Sequence, residues 1–205
     1  MSIVIPIFPE FTALDAVGPY QVLRGLPDAK VVFAAAERGL VRTDDQAMGV
    51  HADLALSEID AADVLVVPGG WGSRAMMRDE AFLDWIRRIH TTTRYTTSVC
   101  TGSLILGAAG LLTGLDATTH WAQVKLLEST GARYTEQRVV HQGKIVTAAG
   151  VSAGIDMALT LAAQIAGDDV AKSLQLGIEY DPQPPFDAGS PAKAGPAIVA
   201  LTGLA

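Results

Sequence analysis

The chain's single cysteine, Cys100, lies in the stretch TTSVCTGS. A β-branched, apolar run leads up to it, and small residues with a glycine follow. A cysteine between a strand and a helix can be raised on a nucleophile elbow. That turn is sharp enough to strain the reactive residue's backbone, and it needs small residues two positions to either side. Ser98 and Gly102 occupy those positions. The N–H groups opening the next helix would favour a thiolate. That of Thr101 would face negative charge developing on a substrate. A lone cysteine is as readily a buried core residue, and spacing alone divides evenly between the two. The strand–Cys–helix order favours the nucleophile.

A second loaded segment is VVPGGWG. Its glycines let backbone approach a ligand, so Gly70 N–H is the candidate second donor of an oxyanion-type hole with Thr101 N–H. A plain tight turn after a strand reads the same way. Trp71 either walls a pocket or covers the sheet edge. Asp15 is the candidate acid/base: it falls just past a strand end, on the same side of the sheet as Cys100, where it would shuttle a proton. Thr12 with Asp15 three residues later is equally close to a capping box, and the residues leave both readings open. The four histidines, His51, His90, His120 and His141, lack metal-ligand spacing. His90 reads as a surface group at a helix C-terminus. His120, in TTHW, reads first as a capping or core histidine and second as a partner for the thiol. GGWG lacks the Lys-Ser/Thr of a phosphate loop and the spacing of a dinucleotide loop.

These residues need a scaffold, and 205 residues, 49% of them hydrophobic, suffice for one domain with a sizeable core. A net charge of −7 argues against non-specific nucleic-acid binding. A single cysteine excludes an intrachain disulfide and fits a reducing cytoplasm. The opening residues lack the basic stretch of a signal peptide. No apolar run reaches the about 20 residues of a membrane helix. Strands are expected over 3–8, 30–35, 62–70 and 95–99, with a hairpin over 138–150 turning at Gln142-Gly143. Helices are expected over 12–26, 79–90 with Asp79 as N-cap, 102–111, 121–128, 152–167 and 168–177. Residues 37–53 read as a loop or small hairpin. The tail from about 181 to 205 is Pro/Gly-rich and expected to be irregular. Continuous apolar strands alternating with helices indicate a three-layer α/β domain, Rossmann-like or flavodoxin-like, its mostly parallel sheet covered on both faces. Ligands of such folds bind beyond the carboxyl ends of the strands.

Five segments, FPEFTALDAVGPYQVL, VPGGWG, RYTTSVCTGSLILGAAGLLTGLDATTHWA, AAGVSAGIDMALTLAA and IEYDPQPPFDAGSP, carry a resemblance to the ThiJ/PfpI superfamily, relatives of the class I glutamine amidotransferases. It spans nearly the whole chain and is greatest to the isocyanide hydratase branch. The resemblance implies a flavodoxin-like domain over 1–205, a homodimer, and no cofactor. It implies Cys100 as nucleophile, Asp15 as acid/base and Thr101 orienting the nucleophile. Trp71 and Trp121 would then suit a hydrophobic isocyanide substituent, and the product would be an N-substituted formamide. Protease-like members carry His directly after the cysteine. Here that residue is Thr101, and the acid is Asp15 rather than Glu. Both departures agree with the hydratase branch. The alternatives are a non-enzymatic ligand or redox sensor, a stress protein, and glyoxalase-like activity on small dicarbonyls.

Overall fold

Four strands, β1 (Ser2–Pro6), β2 (Lys30–Ala35), β6 (Val64–Val67) and β7 (Tyr95–Val99), form the middle of the sheet, and their apolar runs dictate it. All four residues of β6 are buried, as only a strand covered on both faces can be. The computed structural model describes residues 1–204. Between β2 and β6 lie β3 (Gly39–Arg42), β4 (Gly49–Ala52) and β5 (Leu54–Ala55). Later in the chain come β8 (Asp116–Ala117), β9 (Arg133–Tyr134), β10 (Val139–Gln142) and β11 (Ile145–Ala148). The seven-stranded sheet has the order β10-β11-β7-β6-β1-β2-β5. Its pairs are parallel except β10 with β11.

The helices are α1 (Ala13–Leu23), α2 (Ser73–Met76), α3 (Glu80–Thr92), α4 (Gly102–Ala108), α5 (Val124–Glu128), α6 (Ala153–Ala166), α7 (Asp168–Gly177), α8 (Pro191–Ala194) and α9 (Pro196–Leu201). From β1 the chain crosses through α1 to β2 in one direction along the sheet. From β6 it crosses through α3 to β7 in the other. Right-handed crossovers therefore put α1 and α3 on opposite faces. The α6 helix joins α1, and α4 joins α3. This is the three-layer α/β architecture expected from the sequence. The reversal of direction lies between β1 and β6, where such sheets open a crevice.

Local chemistry explains the element ends. Asp79 caps α3, its carboxylate accepting from Phe82 N–H at 3.0 Å. The helix buries Phe82, Leu83, Trp85, Ile86 and Ile89 at helical spacing. Regular α4 stops at Ala108, short of the expected residue 111, and Gly110 follows in the left-handed region (φ 80°). Residues 121–123 form a 3-10 turn before α5. Residues 37–53 contain the β3–β4 hairpin. Gln142 pairs with Ile145, so the turn of the other hairpin is Gly143-Lys144 rather than Gln142-Gly143. The positive φ that a two-residue turn requires falls on Gly143. The tail is irregular only at first. Prolines at the first positions of α8 and α9 start two short helices there.

Removing the α3 cap should leave the fold intact and weaken it. Asp79→Ala is expected to lower the unfolding free energy by about 1 kcal/mol, seen as a lower urea midpoint at unchanged slope.

Candidate active site

The strand β7 ends at Val99, and the next residue is forced into an unusual backbone. Cys100 has φ 55°, the left-handed region that non-glycine residues rarely enter. Such a residue costs about 1–3 kcal/mol. Its surroundings hold it there. Cys100 N–H donates to the carbonyls of Ala148 and Ala149 at 3.1 and 3.0 Å. Its own carbonyl accepts from Ser103 Oγ and Thr119 Oγ1, both at 3.1 Å. The glycine two residues on is a packing necessity, since a Cβ at Gly102 would sit 2.1 Å from the carbonyl oxygen of Val67. Cys100 thus sits on the sharp strand-to-helix elbow that its small neighbours predict, with 5% of its surface exposed.

Asp15 is fully buried behind it. The capping-box reading of Thr12 and Asp15 does not hold. Thr12 makes no side-chain cap, and its hydroxyl donates to Asp44 Oδ2 at 2.7 Å. Asp15 Oδ2 instead accepts from Gly69 N–H at 2.9 Å, while Oδ1 makes no hydrogen bond of regular geometry. The Cys100 thiol is the side chain coupled to this carboxyl. Burial lifts the Asp15 pKa from 3.8 to about 7. The Gly69 N–H and the thiol oppose the rise, and the charge of Asp44 adds to it. Burial, then the Asp15 charge, pushes the thiol up to about 12, against the lowering effect of the Val151 and Thr101 N–H groups. The helix-opening N–H groups therefore do not establish a standing thiolate, because desolvation outweighs them. Between about pH 7 and about 12 the pair holds one proton between carboxyl and thiol.

Thr101 locks the two loops together. Its Oγ1 accepts from Gly70 N–H at 2.9 Å and lies 3.2 Å from Gly70 O. Gly70 N–H, expected to face a substrate's negative charge, is thereby taken up. Gly69 must lack a side chain here, since a Cβ would lie 2.5 Å from both Thr101 N and Oγ1.

A cavity of about 150 Å³ opens over Cys100 and Thr101. Trp71 lines it, the first of its two readings, and so does His120. Trp121 does not. It faces a separate cleft under the tail, its ring 5.3 Å from that of His120. The reason is local, because successive residues entering a 3-10 turn point in different directions. His120 Nδ1 accepts from Ala122 N–H at 3.3 Å and so caps that turn, the plainer of its two readings. Burial, then Arg74, lowers the His120 pKa. The ring is neutral at physiological pH, with its proton on Nε2.

The chain belongs to the DJ-1/PfpI family. The family model matches residues 1–164. The isonitrile hydratase of Pseudomonas putida is 47% identical over 193 residues, 94% of this chain and 84% of that protein. The structure of a ThiJ/PfpI family protein from Pseudomonas syringae superposes with a TM-score of 0.93 at 38% identity, covering 99% of this chain and 84% of that one. An HTH-type transcriptional regulator of Pseudomonas aeruginosa is 31% identical over 126 residues, 60% of this chain but 37% of the regulator.

Sequence reasoning allowed the segment WGSRAMMRDE to line the pocket without singling out Arg74, and it missed Val151 and Leu204. Among the described residues Arg74 is the one permanent charge lining the cavity. Its guanidinium stacks 4.9 Å from the Trp71 ring, and Nη1 donates to Gly70 O at 3.1 Å. The available signal was an arginine one helical turn after Trp71. Val151 turns its N–H towards the Cys100 thiol, which no side-chain pattern reveals. Leu204 arrives from the far end of the chain.

The buried carboxyl makes a stability prediction. Its folded pKa lies above the unfolded one, so the folded state holds the proton more tightly. Stability is therefore lost as pH rises from 3.8 to about 7, then changes no further on this account. Asp15→Asn should match the parent's urea midpoint near about pH 4 and exceed it by a margin that grows to about pH 7. A gap that shrinks over that range would contradict the assignment.

Proposed function

We propose that the protein is a cysteine-dependent isocyanide hydratase that needs no cofactor. Family membership and the isonitrile hydratase relative support a hydratase. The observation that carries the finer reading is the coupling of an elbow-strained Cys100 to a carboxyl whose pKa lies near 7. A general acid/base works best with a pKa close to the working pH.

An isocyanide, R–N≡C, enters the cavity with its terminal carbon over Sγ. As the S–C bond forms, Asp15 carboxylate takes the thiol proton and delivers it to the same carbon. The product is a thioimidate, R–N=CH–S–Cys100. Asp15, again a carboxylate, then draws a proton from water as its oxygen attacks that carbon, and the nitrogen is protonated. The tetrahedral adduct R–NH–CH(OH)–S–Cys100 expels the thiol, taking back one proton, and releases R–NH–CHO. The balance is isocyanide plus water to formamide, and the enzyme regains its single shared proton. The N–H groups of Val151 and Thr101 hold negative charge on sulfur while it is transiently a thiolate. Arg74 and Cys100 attract each other, which favours the same state.

The thiolate that oxidation requires is formed here by proton transfer to Asp15, not by a standing low pKa. That favours turnover over peroxide sensing. Incubation with a simple alkyl isocyanide should yield the formamide, detected by NMR. Cys100→Ala should abolish it, and Asp15→Asn should cost about 10²–10⁴-fold in kcat. Formamide formation by Cys100→Ala at the parent rate would sink the reading. Because the productive form carries one proton on the pair, kcat/KM should rise with pH through about 7. Asp15→Glu should move that midpoint rather than remove it.

A further inference from the structure

The tail reaches the chemistry. The helices α8 and α9 lie over Trp121 and enclose with it a cleft of about 120 Å³, whose tail side includes Pro191, Ile198, Val199 and Thr202. Beyond α9 the backbone turns at Gly203 (φ 65°), and Leu204 N–H donates to Thr202 Oγ1 at 3.2 Å. This aims Leu204 at the cavity over Cys100, where it is part of the lining. Another part of the lining is braced, because Arg74 ties Trp71 to the Gly70 carbonyl. Leu204 is carried to the cavity by the tail, which shares a cleft with Trp121.

We infer that Leu204, positioned by the docked tail, is the size-determining wall of the Cys100 pocket. The inference builds on the hydratase reading for its substrate class, isocyanides with a compact apolar substituent. A cavity of about 150 Å³ takes a benzene-sized group. Replacing the leucine by alanine deletes three carbons from the wall and admits longer or branched substituents. A larger residue there excludes even a ring. In a hydrophobic pocket one missing methylene changes discrimination by about tenfold or more.

The test uses the full chain with Leu204→Ala and Leu204→Trp. Its first readout needs no turnover. The rate of Cys100 alkylation by N-phenylmaleimide is divided by the rate with iodoacetamide, and compared with the parent's ratio. Leu204→Ala should raise the quotient and Leu204→Trp should lower it, each by about tenfold. The second readout is kcat/KM for a branched against a small alkyl isocyanide, which should move the same way. A quotient unchanged in both variants overturns the inference, since Leu204 then bounds nothing. A rise in both overturns it too, because any change would merely unseat the tail. If the parent hydrates no isocyanide, the hydratase reading falls, while the alkylation quotients still decide the role of Leu204.

Discussion

A left-handed backbone at a residue with a side chain persists only where its neighbours leave no better choice, and Cys100 is such a place. Its N–H is held by the carbonyls of Ala148 and Ala149 at the end of β11, and its carbonyl by two hydroxyls, Ser103 and Thr119. The next turn of chain has Gly102 pressed against Val67 O. Three strand ends therefore define one peptide conformation. A buried parallel sheet keeps strand ends in fixed register, so the thiol's direction is set by the core rather than by a mobile loop. A site assembled on such elements is held more precisely than one on loops alone.

From that fixed point the rest of the site follows as a problem of charge in a dry place. Asp15 is brought behind Cys100 because α1 starts directly over the ends of β1 and β6. Burial then raises both pKa values, and the pair keeps one proton. Neither group is strongly reactive alone. Together they can move a proton over a short path without exposing charge to solvent. The close approach of Gly69 to Thr101 and Asp15 keeps that arrangement closed, and the Thr101–Gly70 clamp holds the loops at a constant spacing.

Much of this was legible in the residues. The apolar runs of β1, β6 and β7, the periodicity of α3 with its Asp79 cap, and the Ala-rich α6 announce themselves because burial and periodicity are local properties. So does the elbow, since small residues at fixed offsets are its steric requirement. The errors arose where one residue decides between neighbours. The register of the β10–β11 hairpin, the end of α4 and the direction of Trp121 each turned on a single step of the backbone. The protonation of Cys100 was misjudged for another reason. Helix-opening N–H groups can be read from a sequence, whereas the depth of burial that opposes them cannot.

The sequence by itself determined the three-layer α/β fold and the strand-to-helix elbow at Cys100, and it left two readings open for Asp15. Only the tertiary structure decided that Asp15 faces the thiol and not its own helix N-terminus, that Gly70 N–H is occupied, and that Arg74, Val151 and Leu204 border the reaction space. The physical reason is sequence separation. Spacing constrains residues within a turn or a strand, but residues 15, 69, 100, 151 and 204 meet only because a common sheet and core bring their segments together. Their pKa values and contacts exist only once water has been excluded from between them.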